Sequence, residues 1–422
     1  MNFNHNSIEK YKLENDLDVV LYRDNDIPLV TVNLWYKVGS ASEVKEKTGL
    51  THLFEHMMFQ GSKNVNKGEH FKYIQEAGGM SNASTNFDRT NYYEKVPSNF
   101  VDLALWLESD RMGFFIDALT QEKLSNQIDV IKNERLERYD NQPYGLAWET
   151  ILSNLFSEEH PYHAPTIGWM EDILNYNLDD VATFFRTHYN PSNASLVVAG
   201  DIEFESVKAK IENYFGKISS IQMGNKDYEI EATLKETKRI ILQDNVQLER
   251  LYLCWKSQKY FEKMDDASEF LSDLLAGSKN GRLHKELVFD KQVAISVSSF
   301  QFSGKHDGFF GIIVTAKPGI SLDFLKTEVF KILEEIFKNG ITERERIRSL
   351  NGIKSGFIFA LQNMNTLADR FNHYNFYLDN PNGFDFDINR FESLTNDEIK
   401  EAAQLYLNQP FIELHIIPNK NT

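Results

Sequence analysis

The segment Thr51-His52-Leu53-Phe54-Glu55-His56-Met57-Met58-Phe59 concentrates three ionisable side chains in five residues. On a helix, residues three and four apart share a face, so His52, Glu55, His56 and Phe59 form one stripe. The positions between them, Leu53, Phe54, Met57 and Met58, are apolar, which marks a helix buried around most of its surface. Ionisable groups on such a helix need compensation, and a bound cation supplies it. Two imidazoles spaced i, i+4 reach a single zinc ion, and the carboxylate beside them is placed to take a proton from an activated water. The bland alternative is a pair of hydrogen-bonded core histidines.

A catalytic zinc takes a third protein ligand and keeps one position open. The helical pattern over 121–139 offers one, because Leu124, Ile128 and Ile131 define an inward face and Glu134 lies three residues beyond on the same face. Glu137, one turn further, is the competing choice. Cys254 is the one cysteine, so an intrachain disulfide is excluded and a metal site must use His, Asp or Glu. In the run Leu251-Tyr252-Leu253-Cys254-Trp255 it reads as a small buried residue.

These residues need elements to hold them. At 422 residues the chain exceeds what one core supports, and two domains are expected. Strands are predicted at 11–13, 19–22 and 29–38, helices near 49–59 and 67–76, and a hairpin over 80–97 bending at Asn86-Phe87-Asp88-Arg89. Helices near 99–112, 121–139, 145–156 and 178–188, a strand at 195–199 and a helix at 204–215 complete the first half. Residues 216–230 are polar and read as a linker. The second half restarts with strands at 238–243 and 250–257, followed by a helix near 264–276, strands at 293–302 and 308–316, helices near 321–338, 342–362 and 395–407, and a strand at 411–417. The expected domains are 1–218, bearing the metal, and 231–422, joined by 219–230. Gly61-Ser62-Lys63-Asn64 recurs as Gly277-Ser278-Lys279-Asn280, an offset of 216 that maps His52, Glu55 and His56 onto Ser268, Leu271 and Ser272. If the halves are repeats, only the first carries chemistry.

Lys plus Arg number 45 and Asp plus Glu 62, a net charge of −17. Such a surface repels nucleic acid, and it either suits basic ligands, basic peptides included, or only keeps the chain in solution. No apolar run approaches the length that spans a bilayer, so no membrane association is expected. Met1 to Lys10 lack the apolar stretch of a secretory signal. A cytoplasmic chain is therefore expected, or a periplasmic one whose signal has been removed.

The His52–His56 segment resembles the inverted zinc motif, H-x-x-E-H, of the pitrilysin and insulinase metallopeptidases. That family takes its third ligand from a glutamate well downstream, and Glu134 lies 78 residues after His56. The resemblance extends through Val38-Gly39-Ser40, Phe59 to Asn64, Gly78-Gly79, Asn82-Ala83-Ser84-Thr85, Thr90-Asn91-Tyr92-Tyr93, Trp106 to Met112, His160-Pro161-Tyr162, Tyr189 to Asn193 and Val198-Ala199-Gly200-Asp201. It implies an α+β chain of two homologous α/β domains, each a mainly antiparallel sheet with helices packed on it. It also implies a zinc endopeptidase in which His52, His56 and Glu134 hold the ion and Glu55 activates water. Two such pairs of domains close into a chamber that admits unfolded peptides. This chain is similar to the short bacterial class, which finds its second pair in a partner subunit.

In the family, the strand matching Met80 to Thr85 pairs with the extended substrate backbone, which points to Asn82 and Ala83. The alternative is that Asn82 merely ends a turn after Gly78-Gly79. Active members also bring an arginine and, seven residues on, a tyrosine from the second domain to hold the substrate carbonyl and the oxyanion. The matching places here hold Val288 and Ile295, which donate nothing, while Arg282 matches a structural arginine. A homologous partner subunit is therefore expected to bring that pair, the alternatives being a self-sufficient homodimer or a non-cleaving scaffold. Gln127 stands where some members carry an acid. His160, His163 and His188 receive no functional role.

Overall fold

The computed structural model describes residues 7–221 and 234–419. Most of the expected linker, from residue 222 on, lies outside them. The first half builds six strands, β1 (Ile8–Lys12), β2 (Asp18–Arg23), β3 (Leu29–Tyr36), β4 (Met80–Thr85), β5 (Thr90–Pro97) and β6 (Ala194–Gly200). Its helices are α1 (Leu50–Met57), α2 (Glu69–Glu76), α3 (Val101–Phe114), α4 (Gln121–Arg135), α5 (Ala147–Leu155), α6 (Met170–Ile173), α7 (Leu178–His188) and α8 (Phe204–Phe215). The second half builds β7 (Lys238–Asp244), β8 (Arg250–Ser257), α9 (Asp265–Ala276), β9 (Ala294–Ser303), β10 (Gly308–Ala316), α10 (Leu322–Asn339), α11 (Glu343–Leu361), α12 (Met364–Leu378), α13 (Phe384–Ser393), α14 (Asn396–Asn408) and β11 (Phe411–Pro418). Wide π-type turns occupy Leu136–Asp140 and His284–Asp290.

The first sheet runs β1-β2-β6-β3-β5-β4 and the second β7-β11-β8-β10-β9. Setting β1 aside, the two orders are the same path, and each sheet has one parallel pair, β2 with β6 and β7 with β11. The remaining neighbours are antiparallel. Each half therefore contributes one mixed, mainly antiparallel sheet of one topology.

The compact units do not follow the halves. One comprises 1–135, 165–227 and 358–385, the other 136–164, 228–357 and 386–422. The sequence reading places no element in 363–394, where α12 and α13 lie. In the first unit α12 covers the face of the sheet that carries Thr31, Asn33 and Trp35. Thr31 Oγ1 donates to Asn365 Oδ1 at 2.7 Å, Trp35 Nε1 to Asp369 Oδ1 at 2.9 Å and Asn375 Nδ2 to Ser195 Oγ at 2.9 Å. In the second unit α5 does the same office, with Trp148 edge-on to Tyr252 and Phe300. Behind it, His160 pairs with Asp307 at 3.3 Å and accepts the Tyr162 N–H, so its role is structural. Among the described residues no helix is long and apolar enough to cross a membrane.

The opposite face of the first sheet carries Val30, Val32, Leu34 and Tyr36, all buried. Strand alternation places these four together. Phe54 of α1 packs in this layer among Phe115, Phe184, Phe185 and Tyr189. Tyr92 Oη donates to the Phe54 carbonyl at 3.0 Å, fixing α1 to the sheet from below. The second unit's core centres on Trp255, Leu271, Phe310 and Tyr406.

A buried charge cluster lies beneath α1. Arg111 binds Glu108 and lies 3.4 Å from Glu94, its guanidinium 4.2 Å from the Tyr92 ring centroid. His70 Nε2 meets Glu94 at 2.9 Å. Two carboxylates share one guanidinium, so burial pushes the Glu108 carboxyl up to about 8, and neighbouring Glu94 adds to the rise. Burial, aided by Arg111, pushes His70 down to about 3. The signs oppose. The Glu108 contribution is present below 4.5 and lost as pH rises through about 8, while that of His70 is present above 6.5 and lost as pH falls through about 3. Glu108→Gln removes the first, so its stability in urea is expected to fall less between pH 5 and 8 than the parent's. Parallel pH profiles would refute the protonated-carboxyl account.

Candidate metal centre

Helix α1 starts at Gly49, whose φ of +87° ends the preceding loop. Leu53, Phe54, Met57 and Met58 are buried, as the pattern requires, whereas His52, Glu55 and His56 are part-exposed along one edge. The stripe thus faces a surface, not the core. Its neighbours are β4, at the sheet edge, and α4.

Helix α4 buries Leu124, Gln127, Ile131 and Arg135. Glu134 sits beside this stripe, with 16% of its side chain exposed, against 13% for His52 and 24% for His56. Its Oε2 lies 3.8 Å from His52 Nε2 and 3.3 Å from His56 Nε2, and the two imidazole centroids are 4.9 Å apart. One potential ligand atom from each of the three falls within 4.8 Å of the other two. A tetrahedral zinc with ligands at about 2.0–2.1 Å separates its donors by about 3.3 Å. The three residues therefore fit such an ion with little movement. Glu137 falls in the wide turn after α4, is exposed, and belongs to no group of this kind among the described residues.

Two other groups of acids and histidines come as close, and cations already fill both. His70, Glu94 and Glu108 surround Arg111, and Asp323, Glu413 and His415 are engaged by Arg239 and Lys326.

Asn82 and Ala83 lie on the edge strand β4. Asn82 is exposed and Ala83 buried, so their side chains point to opposite faces. The Asn82 Oδ1 accepts the Ala83 N–H at 2.9 Å. Val288 packs against the second core and Ile295 is 48% exposed on β9. Arg282 is committed to Glu345, through Nε at 2.8 Å and Nη2 at 2.9 Å, and to the Gly340 carbonyl at 3.1 Å. That pairing holds the Glu345 carboxyl down to about 2. At the places of His52 and His56 the second half has Ser268, bonded by Tyr406 Oη at 2.6 Å, and Ser272.

The sequence reading missed the residues that seat α1. Glu43 accepts the Gly49 and Thr51 N–H groups, each at 2.7 Å, at the positive end of the helix. Burial nevertheless pushes its carboxyl up to about 8. Asp172 accepts Thr48 N–H at 3.1 Å and Thr48 Oγ1 at 2.5 Å. A glutamate six residues before a helix is no standard cap signature, so only the fold discloses it.

The chain matches Insulinase (Peptidase family M16) over residues 18–167 and the Peptidase M16 inactive domain over residues 175–353. It is 31% identical to the zinc protease PqqE of Helicobacter pylori, over 87% of this chain and 83% of that one. The uncharacterized zinc protease YmxG of Bacillus subtilis is 24% identical over 98% and 99% of the two chains. A crystal structure of a protease from Helicobacter pylori superimposes with a TM-score of 0.92 at 29% identity, covering 97% of this chain and 99% of that one. With that extent of likeness in sequence and in fold, the chain belongs to the insulinase, or M16, family of peptidases.

Proposed function

We propose that this chain is a zinc endopeptidase that hydrolyses unfolded peptides inside a closed chamber, and that it is the metal-bearing subunit of a heterodimer. The observation that carries the reading is the convergence of His52, His56 and Glu134 ligand atoms within 4.8 Å, with Glu55 on the same helix. The names of its relatives as zinc proteases support it. His52, His56 and Glu134 would hold the ion. When bound, zinc supplies Lewis acidity, polarising the scissile carbonyl and acidifying water. Glu55 takes the proton of the attacking water and returns it to the leaving amine. The free edge of β4 pairs with an extended peptide backbone at Asn82 and Ala83, which favours unfolded substrates over folded ones. We assign this chemistry to residues 1–218, with 219–230 as linker and 231–422 as the homologous half that carries none.

The oxyanion needs hydrogen-bond donors. Val288 and Ile295 supply none, which supports a second, homologous subunit bearing the arginine and tyrosine.

Glu55→Gln is expected to retain zinc while losing about 10²–10⁴-fold in turnover of an unfolded peptide. Metal analysis and peptide assays on one preparation measure both. Unchanged turnover would remove Glu55 from the reaction. Adding a homologous chain with the arginine–tyrosine pair is expected to raise kcat well above that of this chain alone. Full activity from the isolated chain, unaltered by the addition, would favour a self-sufficient homodimer instead.

A further inference from the structure

Glu134 and the two histidines sit on separate helices, so the ligand set depends on how α4 is registered against α1. Their side chains alone would not fix that register. The structure shows a connection that runs underneath, through backbone. Arg135, the residue after Glu134, is 5% exposed, and its Nη1 donates to the Gly168 carbonyl at 2.9 Å. Gly168 in turn lies directly against the start of α1. A Cβ built on Gly168 would fall 2.3 Å from the Thr48 carbonyl oxygen and 2.7 Å from the Gly49 Cα. One built on Gly49 would fall 2.9 Å from the Gly168 Cα. Both glycines have positive φ, +85° and +87°, so each is needed for conformation as well as for space.

The turn at Gly168 is pinned to α1 by side chains too. Trp169 N–H donates to Thr48 Oγ1 at 2.9 Å, Thr48 Oγ1 donates to Asp172, and Tyr176 Oη donates to the Thr48 carbonyl. Glu43 closes the other side of the same helix start. The Gly168 turn therefore cannot shift along α1 without breaking several bonds at once. Arg135 reports that fixed point to α4, one residue from the third ligand.

We infer that Arg135 is a positioning residue for the metal centre: its bond to the Gly168 carbonyl sets the height of the Glu134 carboxylate against His52 and His56. The inference rests on the reading of those three residues as zinc ligands. Residues behind a metal's ligands typically govern about 10–100-fold in affinity. A lysine at 135 keeps a cationic donor for the carbonyl but loses the planar reach of the guanidinium.

The test is the zinc Kd of the full chain, measured by competition with a chromophoric chelator. Arg135→Ala is expected to raise Kd about 10–100-fold, with Arg135→Lys recovering part of the loss. Trp255→Phe, a core change in the second unit, serves as a control for lost stability and is expected to leave Kd within about 2-fold of the parent. If Arg135→Ala does not fold, Arg135→Gln is read in the same way. A parental Kd in the Arg135 variants, or an equal loss in Trp255→Phe, overturns the positioning role. Equal zinc binding by the parent and by Glu134→Gln overturns the ligand reading itself, a result distinguishable because it does not involve Arg135.

Discussion

The constraint behind everything else is the register between two helices that are far apart in sequence. Two imidazoles and a carboxylate are held within 4.8 Å of one another on a part-buried surface. Left to themselves, such groups prefer water, and desolvating them is costly. A cation repays that cost only if the donors stand in the right places beforehand, since a site that must assemble around its ion loses affinity to the ordering. The first unit meets this need with rigid parts. An aromatic layer lies under Phe54, a phenol holds the helix from the sheet, and glycine-to-glycine packing sets the entry to α1.

The candidate ligand pair His52 and His56 was legible in the sequence because it rests on local spacing. His52, Glu55 and His56 need only a helix to share an edge, and the apolar residues between them announce that helix. The sheet-forming runs were legible for the same reason, with hairpin β4–β5 bending where Asn86 to Arg89 stand. What escaped was whatever depends on partners distant along the chain. Arg135 completes the buried stripe of α4, yet a charged residue reads as solvent-facing until the carbonyl that receives it is known. Helix α12 escaped because polar residues interrupt its inward face, among Leu367, Ala368, Phe371 and Tyr374. Asn365, Asp369, Asn372 and Asn375 look like a surface until they are set against Thr31, Asn33, Trp35 and Ser195. The buried cluster of His70, Glu94, Glu108 and Arg111 was invisible for the same reason.

The second half shows the same frame without the histidines of α1. It keeps the strand path and the helix that follows the second strand, and where the first half has His52 it has Ser268. That serine is buried and bonded to Tyr406 and Gln258, a closed set of neutral partners. The helix needs no ion, and its edge is satisfied from within. The frame is thus compatible with ionisable or with neutral side chains along this helix.

The exchange of covering helices bears on the order in which a ribosome can complete this molecule. The last strand of the second sheet, β11, is interior, between β7 and β8, so that sheet stays open until β11 has been made. The first sheet has all its strands by residue 200, but α12 is made only after β7 to β10 have emerged. During that interval Thr31, Asn33, Trp35 and Ser195 face water or whatever else is at hand. The hydroxyls and amide on this face can meet water in the interval, where a wholly apolar face would invite aggregation. The amide and hydroxyls set among its apolar residues suit a nascent chain whose covering helix arrives late.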